Sequence, residues 1–262
     1  MVAAPLGWQW QTTLKGTYLT CDRLAGMAHG FFTREWVEAA LADLTGILQP
    51  GAIPLRTKQV HGNRVVLAGD ILAQGETATY LDADALISTG PNQALWVCSA
   101  DCVPVLIGDR QTGRVAAIHA GWRGTSMEVV PKTIQTLCQL GSALPDLAIA
   151  LGPAISGTVY QVGLSVAIAI GETLVSLDSH QSPEEQVAHL QAQTRGLLLP
   201  DPEPGRVRLD VRQANVLQLL KMGLEPDQIS VSPLCTYREP EQFFSYRRER
   251  LKQVQWSGIT SF

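Results

Sequence analysis

Strand-length segments that are apolar at nearly every position dominate the middle of the chain: Ala94 to Cys98, Val103 to Ile107, Arg114 to Ile118 and Asp146 to Leu151. A strand with one wet face alternates apolar and polar residues, whereas a near-continuous run needs cover on both sides. These segments therefore call for sheets buried between other layers. Arg64 to Ala68, Ala85 to Ser88, Arg206 to Leu209 and Ile229 to Ser232 are further strand candidates. No period of roughly 20–50 residues recurs, which excludes solenoids and propellers.

Helix signals surround the runs. Thr33 ahead of Glu35 to Leu44 predicts a capped amphipathic helix, with apolar residues every three or four positions. Asp210 with Gln213 forms a capping box before Val211, Ala214, Leu217 and Leu220, and Gly223 stands where that helix stops. Ser182-Pro183-Glu184-Glu185 opens another helix, of about three turns, ending near Arg195. Thr125 and Glu128 have the capping-box form too, but Pro131 falls in the second turn, so the helix through Leu140 is expected to be distorted or restarted before Gly141. Pro200-Asp201-Pro202-Glu203-Pro204-Gly205 can hold neither helix nor strand. Residues 178–206 thus read as a surface insertion within a single domain spanning 1–262, of α+β or mixed α/β class.

With 262 residues, 45% of them hydrophobic, the chain can bury one large core or two modest ones. Twenty basic against 24 acidic residues leave a net charge of −4, which gives no basic field for nucleic acid and favours a small-molecule partner. The beginning, Met1 to Trp10, lacks a basic and apolar leader pattern, and no stretch approaches the roughly 18 apolar residues of a membrane span. A cytoplasmic location without membrane attachment is expected. Five cysteines, an odd number, then read as reduced thiols.

Reactive side chains stand where the apolar segments end. Val115 to Ile118 closes on His119, and Ala120-Gly121-Trp122-Arg123-Gly124-Thr125 follows. Ser99-Ala100-Asp101 and Pro104 flank Cys102 with turn chemistry that exposes its thiol, whereas Cys98 sits inside a run and reads as core filler, like Cys21, Cys138 and Cys235. His61 precedes the turn pair Gly62-Asn63. Two imidazoles and a thiolate suit Zn²⁺, and three protein ligands leave a fourth position open, as in catalytic zinc sites. The same residues also allow Cys102 as nucleophile and His119 as its base, oriented by Asp101 or Asp84. Arg123 with the Gly124 and Thr125 amides offers a helix N-terminus to phosphate. Phe243-Phe244-Ser245-Tyr246-Arg247-Arg248 either stacks a base and holds an anion or places its phenylalanines in the core and its arginines at an edge.

Thr57-Lys58-Gln59-Val60-His61-Gly62, Asp82-Ala83-Asp84-Ala85-Leu86, Ser99 to Leu106, Ile118 to Thr125, Leu151-Gly152-Pro153-Ala154-Ile155 and Phe243 to Arg248 occur in this order. Together they resemble the signatures of the YfiH-type family, whose members carry the labels laccase-domain protein or polyphenol oxidase, peptidoglycan editing factor and purine nucleoside phosphorylase. The resemblance runs from His29 to Arg248. It implies a mixed β-sheet sandwich flanked by helices, monomeric or a weak homodimer, with zinc held by His61, Cys102 and His119. It also implies phosphorolysis of adenosine, inosine, guanosine and methylthioadenosine, with purine nucleoside and phosphate as partners, and adenosine deamination beside it. Cys102, His119 and Asp101 are the implied catalytic residues, Asp101 for acid or base work. Lys58, Gln59, Arg123, Tyr246 and Arg247 are the implied substrate contacts.

Two departures stand out. Gln161 replaces an expected acidic residue, and the tail Glu249 to Trp256 lacks the Gly-Arg that commonly follows Arg248 in the family. Other readings of the family labels are an amidase editing cell-wall precursor peptides and a copper-dependent polyphenol oxidase; a non-enzymatic alternative is a metal-binding partner protein. Copper is the weaker cofactor reading, because multicopper chemistry wants clustered histidines and only His29, His61, His119, His180 and His189 exist.

Overall fold

The near-continuous apolar runs are strands covered on both faces. A computed structural model describes residues 6–74 and 80–262. In chain order its strands begin with β1 (Trp8–Thr12), β2 (Thr17–Cys21), β3 (His29–Phe32), β4 (Ile53–Arg56), β5 (Val65–Leu67), β6 (Ala85–Ile87), β7 (Gln93–Ser99) and β8 (Val103–Asp109). They continue as β9 (Val115–Ala120), β10 (Leu147–Leu151), β11 (Gln161–Gly163), β12 (Leu198–Pro200), β13 (Arg206–Leu209), β14 (Ile229–Val231) and β15 (Gln255–Thr260). The helices are α1 (Leu41–Leu48), α2 (Ala68–Leu72), α3 (Trp122–Ser126), α4 (Val129–Gln139), α5 (Leu164–Gly171), α6 (Pro183–Gln193), α7 (Val211–Lys221) and α8 (Tyr246–Glu249). None is long and apolar enough to cross a membrane among the described residues.

Two six-stranded sheets form the centre, one in the order β1-β2-β3-β15-β7-β4 and the other β14-β10-β8-β9-β6-β5; β11-β13-β12 make a third, smaller sheet. The two large sheets mix antiparallel pairs with parallel ones, at β4 with β7, β5 with β6 and β10 with β14. Each of the eight strand segments read from the sequence coincides with a strand. Leu19, Phe31, Val97 and Ile259 of the first sheet meet Leu86, Leu106, Ala117 and Ala150 of the second. On the far side of the second sheet, Val105, Ile118 and Ile149 meet Ile134, Ala167, Ile170, Ala214 and Leu219 from α4, α5 and α7. Phe32, Trp36 and Trp96 pack with Leu44 of α1 on the outside of the first. The result is a mixed α/β sandwich of two sheets between helical layers. Consecutive residues such as Val105 and Leu106 enter different apolar clusters, which is why the runs show no alternation. Each such buried aliphatic side chain contributes about 1.5–3 kcal/mol relative to exposure.

Helix starts differ from expectation where side chains found better partners. Thr33 caps no helix: its hydroxyl donates to Thr17 O at 2.9 Å, Arg34–Trp36 is a single 3₁₀ turn, and α1 begins only at Leu41. Burial of the Trp36 ring, whose Nε1 donates to Thr17 O at 2.8 Å, holds that turn against β2. The segment after His119 is already helical at Trp122, so the Thr125 amide donates to Gly121 O and is not free for an anion. The chain then restarts through Glu128 in the left-handed region (φ 59°), and Pro131 falls in the first turn of α4, where its missing N–H is harmless. Asp210 accepts from the Arg212 and Gln213 amides as a cap, but the Gln213 side chain turns to Arg195 O, leaving half of the expected capping box. Ser182 and Glu185 form theirs completely. In the segment 178–206, Val187 and Leu190 of α6 join the helical side of the core and β12 pairs with β13.

Glu35 provides a test of how the first sheet is held. Its Oε2 accepts from Thr17 N at 2.8 Å and from the Thr17 and Thr33 hydroxyls at 2.9 and 3.2 Å. Burial alone would raise this carboxyl, yet these donors hold it below its ordinary 4.5. A depressed folded-state value stabilises at pH above the ordinary value and is lost as pH falls through the folded one. Glu35→Gln should therefore cost about 0.5–1 kcal/mol near pH 7, the side chain being solvent-exposed, with the difference from wild type vanishing in acid. Urea unfolding at a series of pH values reads this out, and a pH-independent difference contradicts it.

Candidate metal centre

Strand pairing brings the reactive residues together. Val103 lies opposite Ala120 and Pro104 opposite His119 in the antiparallel β8–β9 pair, so Cys102 at the mouth of β8 sits beside the end of β9. His61 arrives from the loop after the Lys58–Asp82 bridge. The donor atoms of His61, Cys102 and His119 all lie within 4.8 Å of one another, and the two imidazole rings meet edge to face with centroids 4.8 Å apart. Among the described residues no other group of three His, Cys, Asp or Glu side chains could hold a metal ion.

One carboxylate organises this meeting. Asp84 is fully buried; its Oδ1 accepts from His119 Nδ1 at 2.8 Å and from His61 N at 3.0 Å, and its Oδ2 from Gly62 N at 2.7 Å and Val60 N at 3.1 Å. Its backbone oxygen accepts His119 N at 2.8 Å as well. Burial opposes the charge, but the His119 ring and the loop amides hold the Asp84 carboxyl below the usual aspartate range. With Nδ1 so engaged, Nε2 is the His119 nitrogen left for Cys102 and a metal. His61 itself takes the left-handed conformation (φ 59°), a rare one that the Asp84 hydrogen bonds to both sides of it sustain.

Space for the trio comes from Gly121. A β-carbon there would stand 2.8 Å from Cys102 Sγ and 3.5 Å from His61 Cδ2. Burial would raise the Cys102 thiol, but His119 and His61 bring it down to about 6, and despite its own burial His119 is lifted to about 9 by Cys102 and Asp84. The thiolate is the form that binds metal. One sulfur and two imidazole nitrogens fit Zn²⁺, which takes such ligands at about 2.3 and 2.0–2.1 Å.

The trio opens on a cleft of about 530 Å³. Gln59, Asp101, Arg123, Tyr246 and Arg247 line it, as does Tyr160, whose hydroxyl burial and Cys102 push up to about 12. Several expected contacts have structural duties as well. The Gln59 amide pairs with Cys98 N and O at 2.8 and 2.7 Å, and Arg247 donates to Gln161 O at 3.0 Å while lying over the Tyr160 ring. Asp101, at φ 95°, spends Oδ1 on the Thr236 hydroxyl and Oδ2 on Arg247 N, both at 2.7 Å. Lys58 is outside the lining, its Nζ 3.2 Å from exposed Asp82. Phe243 and Phe244 are buried and cannot stack a base, and Arg248 binds the carbonyls of Thr236, Tyr237 and Phe243, so of that motif only Tyr246 and Arg247 reach the cleft. Cys98 lines it too, with its thiol raised to about 11 by burial. Trp122 and Tyr160 are lining residues to which sequence reasoning gave no role, and the tail singled out as divergent lines the cleft from Arg250 to Val254. A larger hollow of about 760 Å³ near Thr13, Glu38 and Asp43 holds none of the trio.

Residues 33–258 match the family described as multi-copper polyphenol oxidoreductase laccase. The chain belongs to this family. Over 260 residues it is 48% identical to a purine nucleoside phosphorylase of Synechocystis sp., covering 97% of each chain. It is 28% identical over 195 residues to an adenosine deaminase from an unknown prokaryotic organism, covering 73% of this chain and 68% of that one. The crystal structure of the hypothetical protein YfiH from Bacillus licheniformis has the same fold, with a TM-score of 0.78 at 24% identity over 97% of this chain and 99% of the other. The resemblance to the YfiH-type family is thus confirmed.

Asp84→Asn should weaken zinc affinity by roughly 10–100-fold, the usual cost of losing an outer partner of a ligating histidine. Competition with a chromophoric chelator measures it; unchanged affinity in a folded variant removes Asp84 from its organising position.

Proposed function

We propose that this protein is a zinc-dependent purine nucleoside phosphorylase acting on adenosine, inosine, guanosine and methylthioadenosine. The observation that carries the reading is one cleft in which the His61, Cys102 and His119 trio, the aromatic rings of Trp122 and Tyr160 and the guanidinium groups of Arg123 and Arg247 share a wall. The phosphorylase relative from Synechocystis supports it. A zinc ion in the trio would supply Lewis-acid catalysis. In phosphorolysis an oxygen of hydrogen phosphate bonds to the sugar carbon while the bond to the purine nitrogen breaks, and the proton that the phosphate loses passes to the departing purine. Arg123 and Arg247 hold the phosphate charge, Arg247 with its guanidinium oriented by Gln161 O and Tyr160. Trp122 and Tyr160 give the base apolar faces. Asp101, held by the Thr236 hydroxyl, fixes the Arg247 backbone through its amide.

Adenosine deamination is a second activity of the same centre, favoured by the deaminase relative. Copper oxidase chemistry gains nothing from the fold. Beyond the trio, the His29 ring nitrogens are engaged by Met27 O and Cys21 N, and His180 and His189 lie in the 178–206 segment.

Chromatography of adenosine incubated with and without phosphate decides between the activities. Phosphorolysis gives adenine only with phosphate, and deamination gives inosine with or without it. His119→Ala should abolish zinc retention and reduce either product by at least about a thousandfold. Full turnover after complete removal of metal contradicts the reading.

A further inference from the structure

Lys58 does not reach the cleft, yet the cleft is more cationic than the sequence motifs required. Arg123, Arg247, Arg250 and Lys252 all line it, and the one acidic residue in the lining, Asp101, has both oxygens taken. Arg123, Arg250 and Lys252 have no acidic partner within ion-pair distance among the described residues. This concentration of unpaired positive charge occurs in a chain whose net charge is −4.

Arg250 and Lys252 belong to the divergent tail, and the fold pins that tail at both ends. Upstream, Ser245 caps α8 through Arg248 N, and Asp101 holds Arg247 N. Arg250 then turns the chain in the left-handed conformation (φ 59°). Downstream, Gln255 accepts from Phe244 N at 2.9 Å and enters β15 opposite Ser99, three residues before Cys102. Residues 250–254 therefore form a short bridge along the cleft. Cations on a pinned segment, in a lining of four cations against the single carboxylate of Asp101, concentrate anions there.

We propose that Arg250 and Lys252, together with Arg123, form a subsite for a phosphate dianion. The dianion is supplied either as free phosphate or as the phosphate of a nucleoside 5′-monophosphate. The subsite itself rests on the cleft's charge; only its use in turnover rests on the phosphorolysis reading.

Isothermal titration of the zinc-loaded protein with inorganic phosphate, adenosine 5′-monophosphate and adenosine tests it. Arg250→Gln/Lys252→Gln should weaken at least one phosphate-bearing probe by roughly tenfold or more, with the loss shrinking at high salt, and leave neutral adenosine unchanged. Loss for inorganic phosphate identifies the free ion as occupant; loss for the monophosphate alone identifies the nucleotide. Lys15→Gln/Lys132→Gln, which removes the same charge from exposed positions outside the cleft lining, should change neither. The subsite is overturned if the tail variant binds both probes like wild type, if the control loses as much, if adenosine weakens equally, or if wild type binds neither. Phosphate binding that depends on the tail without any adenine formed from adenosine overturns the phosphorylase reading alone. Adenine formed at an unchanged KM for phosphate, with both probes bound as in wild type, overturns the subsite alone.

Discussion

A single fully buried carboxylate, Asp84, accepts from the His119 ring and from the amides on either side of His61, and the rest of the site is arranged around that fact. A buried anion is tolerable only when it is paired and hydrogen-bonded, so His119 and the 60–62 loop compensate Asp84 while Asp84 positions them. Cys102 needs no such tether, because its place follows from the pairing of β8 with β9. One histidine is thus held through its ring, the other through its backbone, and the cysteine through sheet register. The sandwich makes this possible by covering both faces of the strands that end at the site, so their ends are rigid.

The central strands were legible because burial on both faces leaves an unmistakable apolar run. Of the strands outside that pattern, the alternating β13 and β14 were legible and others were not. Ile53-Pro54-Leu55-Arg56 contains a proline, tolerated because β4 is an edge strand. Gln255 to Thr260 looks like a polar tail, yet β15 lies inside the first sheet between β3 and β7. Its Gly258 is a packing device, since a β-carbon there would fall 2.5 Å from the Trp96 ring. The helix expected after Thr33 failed because capping was inferred from local pattern, whereas the Thr33 hydroxyl was claimed by a strand carbonyl distant in sequence.

Much the same division holds at the site. His61, Cys102 and His119 could be picked out because reactive residues at the ends of apolar runs are uncommon and sit next to turn chemistry. Asp84 was visible only as one of two possible orienting acids, since nothing local distinguishes it from Asp101. The structure separates them: Asp84 faces the trio, and Asp101 grips the Thr236 hydroxyl and Arg247 N. That Lys58 pairs with Asp82 outside the cleft, while Arg250 and Lys252 line it, depends on where the chain returns after α8. No spacing rule reports that. The laccase description attached to the family likewise says less about this chain than its donor set does, one sulfur and two nitrogens in a single cluster among the described residues.

X-ray absorption at the zinc edge of the reconstituted protein measures the convergence directly. One sulfur scatterer near 2.3 Å and two imidazole nitrogens near 2.0–2.1 Å are expected, with the sulfur lost in Cys102→Ser. A zinc shell without sulfur, or one with four protein ligands, contradicts the three-residue centre built around Asp84.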